Sequence, residues 1–178
     1  MPIACLLIVC ACKKSDSHTT QGLPGTWIFL GATVHSQTTA DEGGGVTLMS
    51  TTNLVTKNNV GTISFKTDSM VVSGLGYSVD TSIIAYFYYN HVLYDSVQQP
   101  LNYTIQPTSA NAKYSVIGSD SLYLPSGGLL SQLDSSSTGR GCKYQLMGDS
   151  LTLTENGIDT TGGAQTLIQA VMSLKRQK

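Results

Sequence analysis

The stretch "YQLMGDSLTLT" at residues 144–154 decides the fold class. Apolar and polar residues alternate on both sides of Gly148-Asp149, which is the pattern of two half-buried β-strands joined by a tight turn. Glycine accepts the positive φ that the first central position of a type II′ turn requires. The stretch therefore predicts an antiparallel hairpin with a two-residue loop.

Two further stretches repeat this layout, "GTISFKTDSMVVSG" at residues 61–74 and "YSVIGSDSLYLP" at residues 114–125. Each has an alternating strand, a polar turn that ends in Asp-Ser, and a second alternating strand. Asp and Ser favour turns because their side chains bond the nearby backbone. A fourth Asp-Ser pair lies in "LYDSVQQPL", where Pro100 limits strand pairing. Successive hairpins predict an antiparallel meander.

Composition agrees with this all-β fold class. The chain has 178 residues, enough for one domain with a sizeable core, and only 12% of them are charged. Few charges with many Ser, Thr and Gly suit strands and turns better than helices. The net charge is −1 and the basic residues are scattered, so we expect no nucleic-acid partner. No apolar run is long enough for a spanning helix.

The tyrosines are concentrated in one part of the chain. Eight of the nine lie between Tyr77 and Tyr123, and both faces of "YSVDTSIIAYFYYNHVLY" at residues 77–94 are apolar or aromatic. We expect one long β-segment with a cavity on one side, or a bulge that redirects the strand. The functional interpretation is an aromatic pocket lined by Tyr86, Tyr88 and Tyr103 that orients an amphipathic ligand. The structural alternative is that tyrosine simply favours half-buried strands.

Two stretches give weaker patterns. Residues 35–59 predict a long loop or flap that includes Gly43-Gly44-Gly45, with room for a strand inside it. Residues 164–178 fit either a helix or a strand by periodicity. A meander needs a closing partner, which favours the strand.

At the N-terminus, an apolar run from Ile3 ends in Val9-Cys10-Ala11-Cys12. The run has the length of a secretory signal and is too short to span a bilayer. It resembles the lipobox of bacterial lipoproteins. The resemblance implies a signal peptide at residues 1–11, lipidation of Cys12, and a flexible tether at residues 12–22. A cut before Cys10 and a buried first strand are the alternatives.

The lipobox resemblance also implies a location. Lys13, rather than Asp, follows the anchor cysteine, which implies retention in the outer membrane of a Gram-negative cell envelope rather than the inner membrane. We therefore expect a membrane partner through the lipid anchor, and a monomer.

Reactive chemistry is sparse. Once Cys5 and Cys10 are removed and Cys12 is acylated, Cys142 is left without a disulfide partner, and we expect it to act as a small buried hydrophobe. The three histidines are too scattered to form a metal site. No nucleophile elbow, phosphate loop or carboxylate pair is apparent. We therefore predict no enzymatic activity, no cofactor and no metal.

A family resemblance covers about residues 23–176 of a domain that we place at residues 23–178. Gly25-Thr26-Trp27, the meander, and the basic end Leu174-Lys175-Arg176 are similar to the lipocalin-like (calycin) family. The resemblance implies a barrel of about eight strands. It also implies that Trp27 lies across the closed end and that Arg176, or Lys175, covers the indole through a cation–π contact. An open β-sandwich with a C-terminal helix is the alternative fold.

Two functions remain open from the sequence. The first is a membrane-anchored envelope lipoprotein whose lipocalin-like domain binds a small hydrophobic or amphipathic ligand. The second is a non-enzymatic structural or interaction module of the envelope, with a filled barrel, that contacts a protein or glycan. The volume inside the fold discriminates between them.

Overall fold

The computed structural model describes residues 22–125 and 140–178. The predicted signal peptide at residues 1–11, the lipidation site Cys12 and the tether as far as residue 21 lie outside the described residues. The described chain forms nine β-strands and one short 3₁₀ turn: β1 (Gly25–Gly43), β2 (Val46–Phe65), β3 (Ser69–Tyr89), β4 (Val92–Lys113), β5 (Ser115–Ile117), β6 (Ser121–Leu124), β7 (Arg140–Met147), β8 (Ser150–Asp159), the turn Thr161–Gly163, and β9 (Ala164–Arg176).

The nine strands form one antiparallel sheet in the order β4-β3-β2-β1-β9-β8-β7-β6-β5. Every neighbouring pair except β1 and β9 is consecutive in the chain, so the predicted meander and the all-β class are confirmed. The described residues form a single sheet rather than a sandwich. Within them, no pairing joins the outer strands β4 and β5, and the sheet is not closed into a barrel.

The hairpins fall where the Asp-Ser turns predict them, with one exception. Met147 pairs with Ser150 across a two-residue loop, and of its two central residues only Gly148 has a positive φ, 59°. That is the predicted type II′ turn. Asp95-Ser96 instead lies inside β4, beyond the turn that joins β3 to β4.

Two expectations about the middle of the chain are wrong. Residues 35–59 are strand, not loop, because β1 continues to Gly43 and β2 begins at Val46. Residues 77–94 are not one strand, because Asn90 and His91 adopt positive φ values of 46° and 65° and make a tight turn. Both central residues are left-handed, as in a type I′ hairpin turn.

The C-terminal stretch is strand β9, so the helix in the alternative fold is wrong. Alternate residues Ala170, Met172 and Leu174 are buried, as expected for a strand with one covered face. The strand pairs with β1 on one side and β8 on the other, and so it joins the first strand of the chain to the second half of the meander.

The buried core occupies one end of the long strands. We call this end the base, and it comprises residues 22–34, 54–79, 105–125, 140–155 and 170–178. Large side chains fill it, and those with almost no exposure are Leu23, Trp27, Ile63, Leu122, Leu124, Leu151, Leu153 and Leu174. Val79 of β3 and Leu122 of β6 share this cluster although six positions in the sheet order separate their strands. The sheet therefore curls around its own core.

The remaining residues, 35–53, 80–104 and 156–169, form what we call the extension. At about 3.3 Å per residue, the nine extension residues of β1 reach about 30 Å beyond the base. Its side chains are only partly buried or exposed, and most of β4 here is exposed. The extension ends in the two neighbouring turns that join β1 to β2 and β3 to β4.

A line of bulges crosses the first three strands within the base. The register shifts between Phe29 and Gly31 in β1, between Lys57 and Thr62 in β2, and between Val72 and Tyr77 in β3. At Gly61 a Cβ atom would lie 2.6 Å from the carbonyl oxygen of Gly74, so the strands approach too closely for a side chain. Bulges increase local twist, which lets the long strands bend around the core.

Candidate functional site

The structure brings together the two residues at the bottom of the base that the family resemblance pairs. The Trp27 ring is fully buried, and its Nε1 donates to the carbonyl oxygen of Leu23 at 2.9 Å. The guanidinium carbon of Arg176 lies 4.2 Å from the ring centroid, which is a cation–π contact. Lys175, the alternative cation, is exposed and pairs with Ile28.

Arg176 also holds the segment that precedes β1. Its Nη1 donates to the carbonyl oxygen of Pro24 at 3.2 Å, and its Nη2 donates to that of Gly22. Gly25 has a φ of 133°, and a Cβ atom there would lie 2.8 Å from Nη1. The glycine of the Gly-x-Trp pattern therefore leaves space for the guanidinium group. This cluster is structural, since every contact within it holds the chain in place.

The structure does not bring the three predicted lining tyrosines together. Tyr103 pairs with buried Val79, so it lies on the face that continues the core, and burial raises the pKa of its hydroxyl. Tyr86 and Tyr88 lie an odd number of residues from Val79 along the unbroken register of β3, and so they point to the opposite face. One pocket lined by all three is not present.

A cavity of about 480 Å³ lies instead at the outer end of the extension, where β3 turns into β4. We call it the tip cavity. It is lined by six apolar or aromatic residues, Val46, Phe87, Tyr88, Tyr89, Val92 and Tyr94. Its volume is in the range of small-molecule sites. Tyr88 is the one predicted lining residue that belongs to it.

Local backbone features build this cavity. The Asn90-His91 turn reverses the chain, and the Asn90 amide donates to the carbonyl oxygen of Gly45 at 2.9 Å, which locks the two end turns together. Phe87 pairs with Asp95 while Tyr88 pairs with Leu93, so Tyr94 is an extra residue in β4. A bulge of this kind redirects a side chain. The sequence suggested a bulge near here but gave no means to place it.

Three of the residues that line the tip cavity are unusually exposed for apolar or aromatic side chains. Tyr94 is 77% exposed, Tyr89 is 56% exposed, and Val92 is 68% exposed. Apolar side chains clustered at the surface mark interaction or ligand sites more often than single exposed residues do. The cluster continues along β4 through Leu93 and Val97, both of which are also about half exposed.

Charge is divided between the two parts of the molecule. The extension has five carboxylates and no Lys or Arg: Asp41, Glu42, Asp80, Asp95 and Asp159. The base has eight Lys or Arg residues and only four carboxylates. Lys57 and Asp80 form an ion pair across the boundary at 3.5 Å, with both side chains exposed. A chain that is almost neutral as a whole is therefore polarised along its length.

Two buried polar residues of the base, Thr56 and Glu155, have partners, whereas the buried Oδ1 of Asn59 has none among the described residues. Arg140 contacts Glu155 at 3.5 Å, and both side chains are nearly covered. Cys142 is buried beside them, and burial, followed by the Glu155 charge, raises the pKa of its thiol to about 12. The thiol is therefore neutral at physiological pH, which suits the hydrophobe that the sequence predicts. In the described ranges, no three His, Cys, Asp or Glu residues are grouped as a metal site.

A smaller cavity of about 250 Å³ lies where the base meets the extension, between β1, β2 and β9. It includes His35, whose Nδ1 is 2.7 Å from the Asn53 side-chain oxygen. The His35 ring has a partner in the sheet, and no second reactive group accompanies it.

Comparison with family models, curated proteins and solved structures finds no match to this chain. In the part of the chain that the structure describes, no helix is long and apolar enough to cross a membrane.

Proposed function

We propose that this protein is a lipid-anchored envelope lipoprotein of a Gram-negative bacterium, held in the outer membrane through Cys12, that binds a small hydrophobic or amphipathic ligand in the tip cavity. The proposal includes no catalytic step and no cofactor. We also propose a lipocalin-like ancestry, in which β4 and β5, unpaired among the described residues, meet to close the curled sheet into a barrel. The contact between Trp27 and Arg176 and the pairing of the first strand β1 with the last strand β9 support that relationship.

The tip cavity is the observation that carries the binding function. It offers about 480 Å³ bounded by four aromatic rings and two valines, and its walls are mostly apolar. Apolar sites with a few polar groups suit amphipathic ligands, because the rings remove apolar surface from water while the hydroxyls remain able to hydrogen-bond.

The position of the cavity suits an anchored protein. The chain enters the fold at Gly22–Gly25, beside Trp27, whereas the tip cavity lies beyond the opposite end of β1. The 19 residues of β1 place these two ends about 60 Å apart along the strand. An anchor on Cys12 would hold the base near the membrane and direct the cavity away from it.

The binding function is tested by calorimetric titration of the full chain with octyl glucoside below its micelle concentration. We expect saturable binding, loss of that binding in the double variant Tyr89→Ser/Tyr94→Ser, and no change in Tyr123→Ser, which alters an exposed tyrosine of the base. Absence of saturable binding to the parent, or equal binding by all three proteins, contradicts the proposal.

Anchoring is tested separately. In its own host, the parent should partition into the detergent phase, and the Cys12→Ser variant should remain in the aqueous phase in uncleaved form. If the variant partitions as the parent does, the anchor is not at Cys12.

The second function, an interaction module with a filled interior, is favoured by the packing of the base. Trp27, Ile63 and six leucines have almost no exposed surface there. In this case the exposed part of β4 would contact an envelope protein or glycan. A photo-crosslinking residue at Val97 should then give one discrete adduct in intact cells, and the same residue at Ser119 in the base should give none.

A further inference from the structure

We propose that the ligand of the tip cavity carries a positive charge, that is, an amphiphile with a quaternary or protonated amine as its head group. This inference rests on the proposed binding function and specifies its ligand class. Two observations support it: the cavity is lined by aromatic rings, and it lies at the anionic end of the molecule.

The extension is anionic along its whole length. Its residues contain five carboxylates and no Lys or Arg, so no compensating cation lies within 35–53, 80–104 or 156–169. Charges near a cleft lined by apolar walls raise the local concentration of oppositely charged ligands. The extension therefore attracts cations and repels anions on approach.

Three of the five carboxylates lie at the same end of the extension as the cavity, by strand register. Asp95 follows Tyr94 and pairs with Phe87, so it shares a face with a lining residue. Asp41 and Glu42 immediately precede Gly43, the last residue of β1, which pairs with the lining residue Val46. None of the ion pairs among the described residues includes any of these three carboxylates. Their negative charge is thus available to a ligand.

The aromatic rings of the cavity also favour a cationic head group. Phe87, Tyr88, Tyr89 and Tyr94 line the same cavity. The negative face of an aromatic ring attracts an organic cation, and several rings around one space form the aromatic cages that bind quaternary ammonium groups. A hydrophobic tail would lie against Val46 and Val92. An anionic head group in this position would be repelled by the ring faces and by the carboxylates.

The test compares three probes with the same eight-carbon tail, all below their micelle concentrations. These are octyltrimethylammonium, octyl glucoside and octyl sulfate, titrated calorimetrically into the full chain at low ionic strength. We expect octyltrimethylammonium to bind about tenfold more tightly than octyl glucoside, and octyl sulfate to bind most weakly. Raising the salt concentration should reduce the cationic preference and leave octyl glucoside binding unchanged.

Two variants locate the preference. Asp95→Asn should weaken octyltrimethylammonium binding about threefold and leave octyl glucoside binding unchanged. Tyr94→Leu keeps an apolar side chain but removes one ring, and it should weaken the cation about fivefold and the glucoside by less. Asp80→Asn is the matched control. It removes the same charge about 20 Å along β3 from the partner of Asp95. The two variants are compared at about 0.1 M salt, where the screening length is about 10 Å and the Asp80 charge is out of range.

The outcomes separate this inference from the proposed function. Equal binding of all three probes, or an equal effect of Asp95→Asn and Asp80→Asn, overturns the cationic ligand class and leaves a general apolar site. Tighter binding of octyl sulfate also overturns it. If no probe binds saturably, the proposed binding function fails together with the inference.

Discussion

The contact between Arg176 and Trp27 gives a prediction whose size can be worked out from the structure. The change is Arg176→Met, which keeps a side chain of similar length and removes the guanidinium group. The variant loses a cation–π contact at 4.2 Å, worth about 1 kcal/mol. It also loses two hydrogen bonds to exposed backbone carbonyls, together worth roughly another 1 kcal/mol after discounting for solvent.

The expected result is a loss of about 2 kcal/mol in the free energy of unfolding, or about 6 °C in Tm for a domain of this size. Trp27 is the single tryptophan of the chain and is fully buried, so its fluorescence reports unfolding in urea directly. The slope of the transition should not change, because the variant exposes no additional surface.

Two further substitutions make the measurement specific. Lys175→Met removes a neighbouring exposed charge and should change stability by less than about 0.5 kcal/mol. Arg176→Lys keeps the charge but loses the planar stacking and the forked donors, so it should be intermediate. If Arg176→Met and Lys175→Met are equally stable, the guanidinium group does not hold the base as described, and the reasoning is refuted.

Three other features give predictions. His91→Gly should raise the free energy of unfolding by about 1 kcal/mol in urea titrations, because His91 has a φ of 65°, and His91→Val should lower it; the reverse order contradicts the turn. Arg140→Met should cost about 3 kcal/mol by leaving the buried Glu155 carboxylate without its cation, and the double variant with Glu155→Met should recover most of this in the same assay. Peptide mapping should find Cys142 unmodified by iodoacetamide at pH 8 in the folded chain and labelled in urea; labelling at equal rates contradicts its burial. Because its folded pKa is about 12 and the ordinary value is 9.0, stability should fall as pH rises from about 9 to 12, and Cys142→Ala should remove that part of the decline.

The hairpins could be predicted because three features agree there: alternation, turn chemistry and burial of one face. The inward face of β8 is fully buried at Leu151 and Leu153, so apolar residues recur there at every second position. The Trp27–Arg176 contact followed from a family resemblance rather than from a pattern within the chain. By periodicity alone, the residues of β9 fit either a helix or a strand. The strand is favoured because the meander needs a closing partner.

The extension could not be predicted for a physical reason. Alternation appears in a sequence only when one face of a strand is buried, and the faces of residues 35–53 are both partly exposed. Ser, Thr and Gln therefore occur on both faces of these strands, and this composition is typical of a loop. The Asn90-His91 turn lacks glycine, the usual signal of a type I′ turn, although Asn90 interrupting an apolar run was a usable hint.

The pocket assignment failed for a related reason. The face to which a tyrosine points depends on every turn and bulge between it and its neighbours, and a shift of one residue reverses it. The turn at Asn90 and His91 separates Tyr103 from Tyr86 and Tyr88, and the sequence alone does not place that turn. The cavity instead combines residues from the ends of three strands, which only the pairing of β2, β3 and β4 brings together.

The central claim is that a small hydrophobic or amphipathic ligand binds at the outer end of the extension and not inside the base. The most direct measurement is NMR of the full chain with ¹³C-labelled tyrosine rings, titrated with octyltrimethylammonium. The account predicts saturable shifts confined to the rings at Tyr88, Tyr89 and Tyr94. Shifts at buried Tyr77 and Tyr114 of the base, with the tip tyrosines unmoved, would contradict it.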